Sequence, residues 1–100
     1  MTNDSRRILT LRLKGRYWHE VASGEKTVEF RLATEYWRKR LVGKHYEEIH
    51  LWLGYPSKSD TSKLLRRRWR LIAKETIQHD EFGPDPVEVF CIDVAQPVTS

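Results

Sequence analysis

VASGEKTVEFRLATEYW, Val21 to Trp37, holds within seventeen residues a helix end, a glycine turn and a strand. Tyr17, Trp18, Val21 and Ala22 fall at i, i+1, i+4 and i+5, the stripe of a short amphipathic helix, and Gly24 stands where a C-terminal helix glycine belongs. From Thr27 to Leu32 the period becomes two, with Val28 and Phe30 facing one way and Thr27, Glu29 and Arg31 the other. Thr34 then offers a cap to a second helix, EYWRKRLVG, in which Trp37 and Leu41 lie one turn apart and Gly43 closes.

Outward from this stretch the chain reads mainly as strands. Ile8 to Lys14 alternates, Leu9, Leu11 and Leu13 against Thr10, Arg12 and Lys14, which predicts a half-buried strand. Ile49 to Tyr55 is apolar enough for a central strand. Leu64 to Gln78 sets Leu65, Trp69, Leu71 and Ala73 opposite Arg66, Arg68, Arg70 and Lys74, one long strand that can bend, although LLRRRWRLIAKE is also helical by composition. The turn-rich EFGPDP precedes a last strand, VEVFCIDV. About five strands with two short helices imply an α+β fold built on a strongly bent sheet or small barrel. Helices this short do not cover both faces of a parallel sheet, and no phosphate-binding glycine loop is present, so a doubly wound nucleotide fold is disfavoured.

A chain of 100 residues, 39% apolar and with eleven aromatic side chains, supports one core and hence one domain over residues 1–100. No run of about 18 apolar residues occurs, and charges interrupt MTNDSRRILTLRLKGRYW where a signal peptide needs an apolar stretch, so a soluble, cytoplasmic protein without membrane contact is expected. Cys91 stands alone inside VEVFCIDV and reads as a buried structural thiol. His19, His45, His50 and His79 have no metal-ligand spacing, so neither metal nor cofactor is expected. Charge is segregated: seven basic residues against one acidic between Lys58 and Lys74, then six acidic and no basic from Glu75 onward. Such a patch favours a polyanion, and Trp69 among Arg66, Arg67, Arg68 and Arg70 suits single-stranded nucleic acid, a base stacking while arginines hold phosphates. The other reading makes Trp69 core and the arginines a solvated face.

Glu29 and Arg31 share one strand face just after Lys26. If that face is exposed, they form a surface pair worth about 0 to 1 kcal/mol. If it lines a cavity, carboxylate, guanidinium and ammonium converge: Arg31 can hold a phosphate or base edge, Glu29 can accept from an exocyclic amine or act as a base, and Lys26 can supply charge. Spacing leaves both readings open.

GEKTVEFR fits the pattern GxKxxExR, placed between a first strand plus short helix and a second strand. In this the chain resembles the ASCH domain family, a branch of the PUA-like superfamily. The resemblance implies a domain core at about 8–98, a PUA-like small β-barrel of five to six strands with two short flanking helices, and a cleft gathering Lys26, Glu29 and Arg31 that binds RNA, nucleotides or modified nucleosides. Some similar proteins are hydrolases. One branch removes the acetyl group of N4-acetylcytidine with a lysine, a threonine three positions later and a distant glutamate. Lys26 matches that lysine, but Glu29 stands at the threonine's position, and a carboxylate does not replace a hydroxyl in forming and clearing an acyl intermediate. Thr27 shares the face of Glu29, and Glu47, Glu48, Glu75 and Glu81 are the available distant glutamates. Other similar proteins cleave RNA, for which Lys26, Tyr55 and Ser57 or Ser59 are the matching residue types. The expectation is binding of single-stranded RNA or a nucleotide-like ligand, with Lys26, Glu29 and Tyr55 as the catalytic set of a hydrolase alternative. A protein-interaction module meeting an acidic partner is the second alternative.

Overall fold

The computed structural model describes residues 7–57 and 59–98; Lys58 of the basic run and residues 1–6, with the charges of Asp4 and Arg6 read above, lie outside them. Among the described residues, six strands and two α-helices follow in the order β1 (Ile8–Leu13), α1 (Gly15–Ser23), β2 (Val28–Leu32), α2 (Glu35–Leu41), β3 (Glu48–Leu53), β4 (Leu64–Arg68), β5 (Leu71–Ile77) and β6 (Val87–Asp93), with single 3-10 turns at Thr61–Lys63 and Asp80–Phe82. The architecture is α+β. Two three-stranded sheets carry it, in the orders β1-β3-β4 and β2-β6-β5.

The elements follow the periodicities of the sequence closely. Gly24 adopts φ 86° and ends α1, its N–H donating to the Val21 carbonyl at 3.1 Å, a left-handed conformation in which a β-carbon is strained. Thr34 accepts the Trp37 amide at 3.4 Å through its hydroxyl and so caps α2. β1 and β3 run parallel, the crossover passing through α1, β2 and α2, while β4 returns antiparallel to β3. In the second sheet β6 is central and antiparallel to both neighbours, as suits a strand apolar on both faces.

The long alternating stretch Leu64–Gln78 differs from its reading as one strand. It is divided at Trp69 and Arg70, so that β4 belongs to one sheet and β5 to the other. A straight strand would deliver all its apolar side chains to a single sheet. Turning at Trp69 places Leu65 opposite Leu51 and Leu71 opposite Ile92, one on each layer. Backbone hydrogen bonds hold the corner from both sides, Arg68 N–H donating to Gln96 O at 2.8 Å and Arg70 O accepting from Asp93 N–H at 3.0 Å.

The core lies between the sheets. Leu9, Leu11 and Leu13 of β1, Ile49 and Leu51 of β3, and Phe90 and Ile92 of β6 meet Trp18 and Val21 of α1 and Leu41 of α2. Trp18 is anchored as well as packed, its indole N–H donating to Leu51 O at 3.0 Å. Cys91 is buried and unpaired, and burial pushes its thiol pKa up. No helix among the described residues is long and apolar enough to cross a membrane.

Candidate functional site

The site begins at the turn after α1. Glu20 O accepts the Lys26 amide at 2.9 Å, which holds Lys26 against the end of the helix, and Thr27 O accepts from Val94 N–H at 2.9 Å as β2 joins β6. Across that pairing Glu29 lies opposite Ile92 and Arg31 opposite Phe90. Directly paired residues share a sheet face, and Ile92 and Phe90 belong to the core. Glu29 and Arg31 therefore point inward, between the sheets. Glu29 is only 7% exposed.

This inward polar pair lines a cavity of about 540 Å³ bounded by residues of β1, β2, the first turn of α2, Tyr17, Tyr55 and the segment around Phe82. On its floor the two Glu29 carboxylate oxygens are divided: one accepts from Arg31 Nη1, the other lies 3.5 Å from Lys26 Nζ. Arg31 is held from several directions, donating to Phe30 O at 3.0 Å and Arg12 O at 3.2 Å, with its guanidinium 5.3 Å from the Trp37 ring centre. The Lys26 ammonium stands 5.1 Å from the Phe30 ring centre and 5.5 Å from that of Tyr17. Cations against aromatic faces are stabilised by the ring quadrupole, so walls and floor support each other.

The rim carries a second polar group. Glu81 accepts from Lys14 Nζ at 3.0 and 3.1 Å and from the Tyr17 hydroxyl at 3.5 Å. The Lys14 hydrogen bond holds the Glu81 carboxyl below its ordinary pKa against the opposing effect of desolvation. Tyr55 stands at the mouth, 87% exposed, with the Arg12 guanidinium 4.8 Å from its ring centre.

Of the residues singled out in the sequence, the fold brings Lys26, Glu29, Arg31 and Tyr55 to this cavity, together with Glu81 from the set of distant glutamates. Thr27, Ser57, Ser59, Glu47, Glu48 and Glu75 are not among its lining residues. Nor are Arg66, Arg67, Arg68, Trp69 and Arg70, which have separate surroundings. Arg66 lies on the outer face of its sheet and grips Glu48 with two hydrogen bonds of 2.8 and 2.6 Å, while His50 Nε2 sits 3.0 Å from the same carboxylate. Chiefly through Arg66, the Glu48 carboxyl pKa falls to about 2. Arg67 turns inward and donates to Val94 O at 2.9 Å and Val21 O at 3.4 Å; desolvation lowers its pKa. Trp69 packs against the core, with its ring centre 5.0 Å from that of Tyr46 and its N–H donating to Lys44 O at 3.2 Å. Arg68 and Arg70 are exposed on the surface.

The sequence reading missed Arg12, Lys14, Phe30 and Trp37 as cavity residues. Alternation placed Arg12 on the polar side of its strand, but nothing local shows that β1 is an edge strand facing β2. Among the described residues no group of three His, Cys, Asp or Glu side chains is arranged to hold a metal ion. Chemically, the arrangement offers aromatic walls for a flat ring, a carboxylate acceptor and fixed cations for polar edges. No family model, curated protein or solved structure matches the chain.

Proposed function

We propose that this protein is an ASCH-type, PUA-like module that binds single-stranded RNA or a nucleoside-like ligand in the cavity between its sheets. One observation carries the reading: a buried carboxylate, Glu29, lies between Lys26 and Arg31 on the floor of a cavity walled by Tyr17, Phe30 and Trp37. Aromatic faces accept a planar base by stacking, and a carboxylate beside fixed donors suits the donor and acceptor pattern of a base edge. The pairing of Arg67 with Pro97, which links β4 to the segment after β6, supports a barrel-like relation of the two sheets.

Trp37 supplies the signal for the test. Titration with each of the four common ribonucleosides and with a ten-nucleotide single-stranded RNA should quench tryptophan fluorescence to saturation, and Arg31→Ala should weaken the binding at least tenfold, the effect of losing a charged hydrogen bond or two. RNA affinity should fall as salt rises, because each neutralised phosphate releases counterions. No saturable signal from any of these ligands defeats the reading.

A hydrolase is the second reading, favoured by the presence of both Lys26 and Glu81 in the cavity lining. N4-acetylcytidine and labelled RNA should then be converted by the wild type and not by Lys26→Ala. Equal product from the two proteins removes the cavity from that chemistry.

A further inference from the structure

The cavity is lined by four cations, Arg12, Lys14, Lys26 and Arg31, and two carboxylates, Glu29 and Glu81. Three of the cations are committed: Lys26 and Arg31 to Glu29, and Lys14 to Glu81 at 3.0 Å. Arg12 differs. Among the described residues it has no carboxylate partner; its side chain makes one hydrogen bond, from Nη1 to the Gly54 carbonyl at 3.2 Å, and its guanidinium lies 4.8 Å from the Tyr55 ring centre. The Arg12 backbone is joined to the floor of the site, since its carbonyl accepts from Arg31 Nη2 at 3.2 Å, while its side chain stands at the mouth beside exposed Tyr55. The Gly54 contact engages Nη1 alone, so Nε and Nη2 of the fork have no hydrogen-bond acceptor among the described residues. That fork matches two oxygens of a phosphate, and the excess of cations over carboxylates favours an anion at this position.

We propose that Arg12, steadied by Tyr55, is a phosphate subsite, so that the preferred ligand is a nucleotide rather than a nucleoside: the base enters between the aromatic walls and a phosphate ester attached to its ribose engages Arg12. This rests on the nucleoside-like reading of the cavity. The phosphate is that of a mononucleotide or an internucleotide phosphate of a strand, two sources of one chemistry.

The test compares affinities for ribonucleosides, the matching 5′- and 3′-monophosphates, and a ten-nucleotide single-stranded RNA, in wild type, Arg12→Gln and Arg12→Lys. At least one monophosphate is expected to bind the wild type about tenfold tighter than its nucleoside, the effect of one charge-assisted contact. Arg12→Gln should bring that ratio close to one, and Arg12→Lys should keep part of it, which separates loss of charge from loss of fold. If strands are the source, Arg12→Gln also lowers the salt slope of RNA binding by about one; if mononucleotides are, the slope is unchanged and the ratio alone moves. A wild-type ratio near one, or the same ratio in wild type and Arg12→Gln, overturns the phosphate subsite while leaving the cavity as a nucleoside site. Absence of binding by nucleosides, monophosphates and RNA alike overturns the cavity reading, and this inference with it.

Discussion

Glu29 is a carboxylate with 9% side-chain exposure between two cations that are themselves little exposed, Lys26 at 15% and Arg31 at 17%. Removing one member of such a group leaves the others buried without a counter-charge, which costs more than the group contributes as a whole. Glu29→Ala is therefore expected to destabilise the fold by about 3 kcal/mol, measured by urea denaturation, with Glu29→Gln milder because it retains an acceptor oxygen. A second residue-scale prediction concerns Gly24. A β-carbon there meets no atom within 4 Å, yet φ stays at +86°, so the cost of Gly24→Ala is purely conformational, about 1 kcal/mol in the same experiment. At this scale much of the site was legible. The glycine joint and the two-residue spacing of Glu29 and Arg31 are local facts, whereas inward orientation depends on Ile92 and Phe90, some sixty residues away.

Between the residue and the molecule, the decisive element is the strand that changes sheets. Trp69 occupies the corner between β4 and β5, packs on the core and is fastened to Lys44 O. Trp69→Ala should cost about 3 kcal/mol in denaturant unfolding, the range for deleting a largely buried aromatic, and should lower cooperativity because two layers lose their common joint. A base-stacking role for Trp69 would instead appear as lost RNA affinity with stability unchanged. The run of arginines shows the limit of reading charge along a chain. In alternating sequence Arg66, Arg68 and Arg70 share one side, but Arg66 is spent on Glu48, and Arg67 turns inward to carbonyl oxygens of Val21 and Val94. Their partners come from other elements, which composition does not display.

At the scale of the whole molecule, the pH dependence of stability is read most directly on the outer face of the first sheet, where Arg66 and His50 meet Glu48. The Glu48 carboxyl has its pKa lowered from an ordinary 4.5 to about 2 in the fold. A depressed carboxyl pKa stabilises the folded state above the unfolded value, and this contribution disappears as pH falls through the folded value. Unfolding free energy should accordingly decline between about pH 5 and pH 2, and Glu48→Gln should flatten that decline in a series of urea titrations over this range. Lys14 and Glu81, which join α1's approach to the segment before β6, lower stability in the same direction on acidification.

The bounds of β1, β2, α2, β3 and β6 to within a residue or two, and the polar and apolar sides of those strands, were determined by the sequence alone, whereas Leu64–Gln78 read as one strand and forms two. Those properties follow from backbone periods of two and about 3.6 acting on neighbouring residues. The tertiary structure decided which polar face became an interior one, where the long strand divided, and which arginines were left without a carboxylate. Each of these rests on pairings between distant strands: Glu29 with Ile92, Leu65 with Leu51, Leu71 with Ile92. A local period repeats regardless of which strand lies alongside, and so it cannot distinguish a solvated row of charges from one enclosed between two sheets.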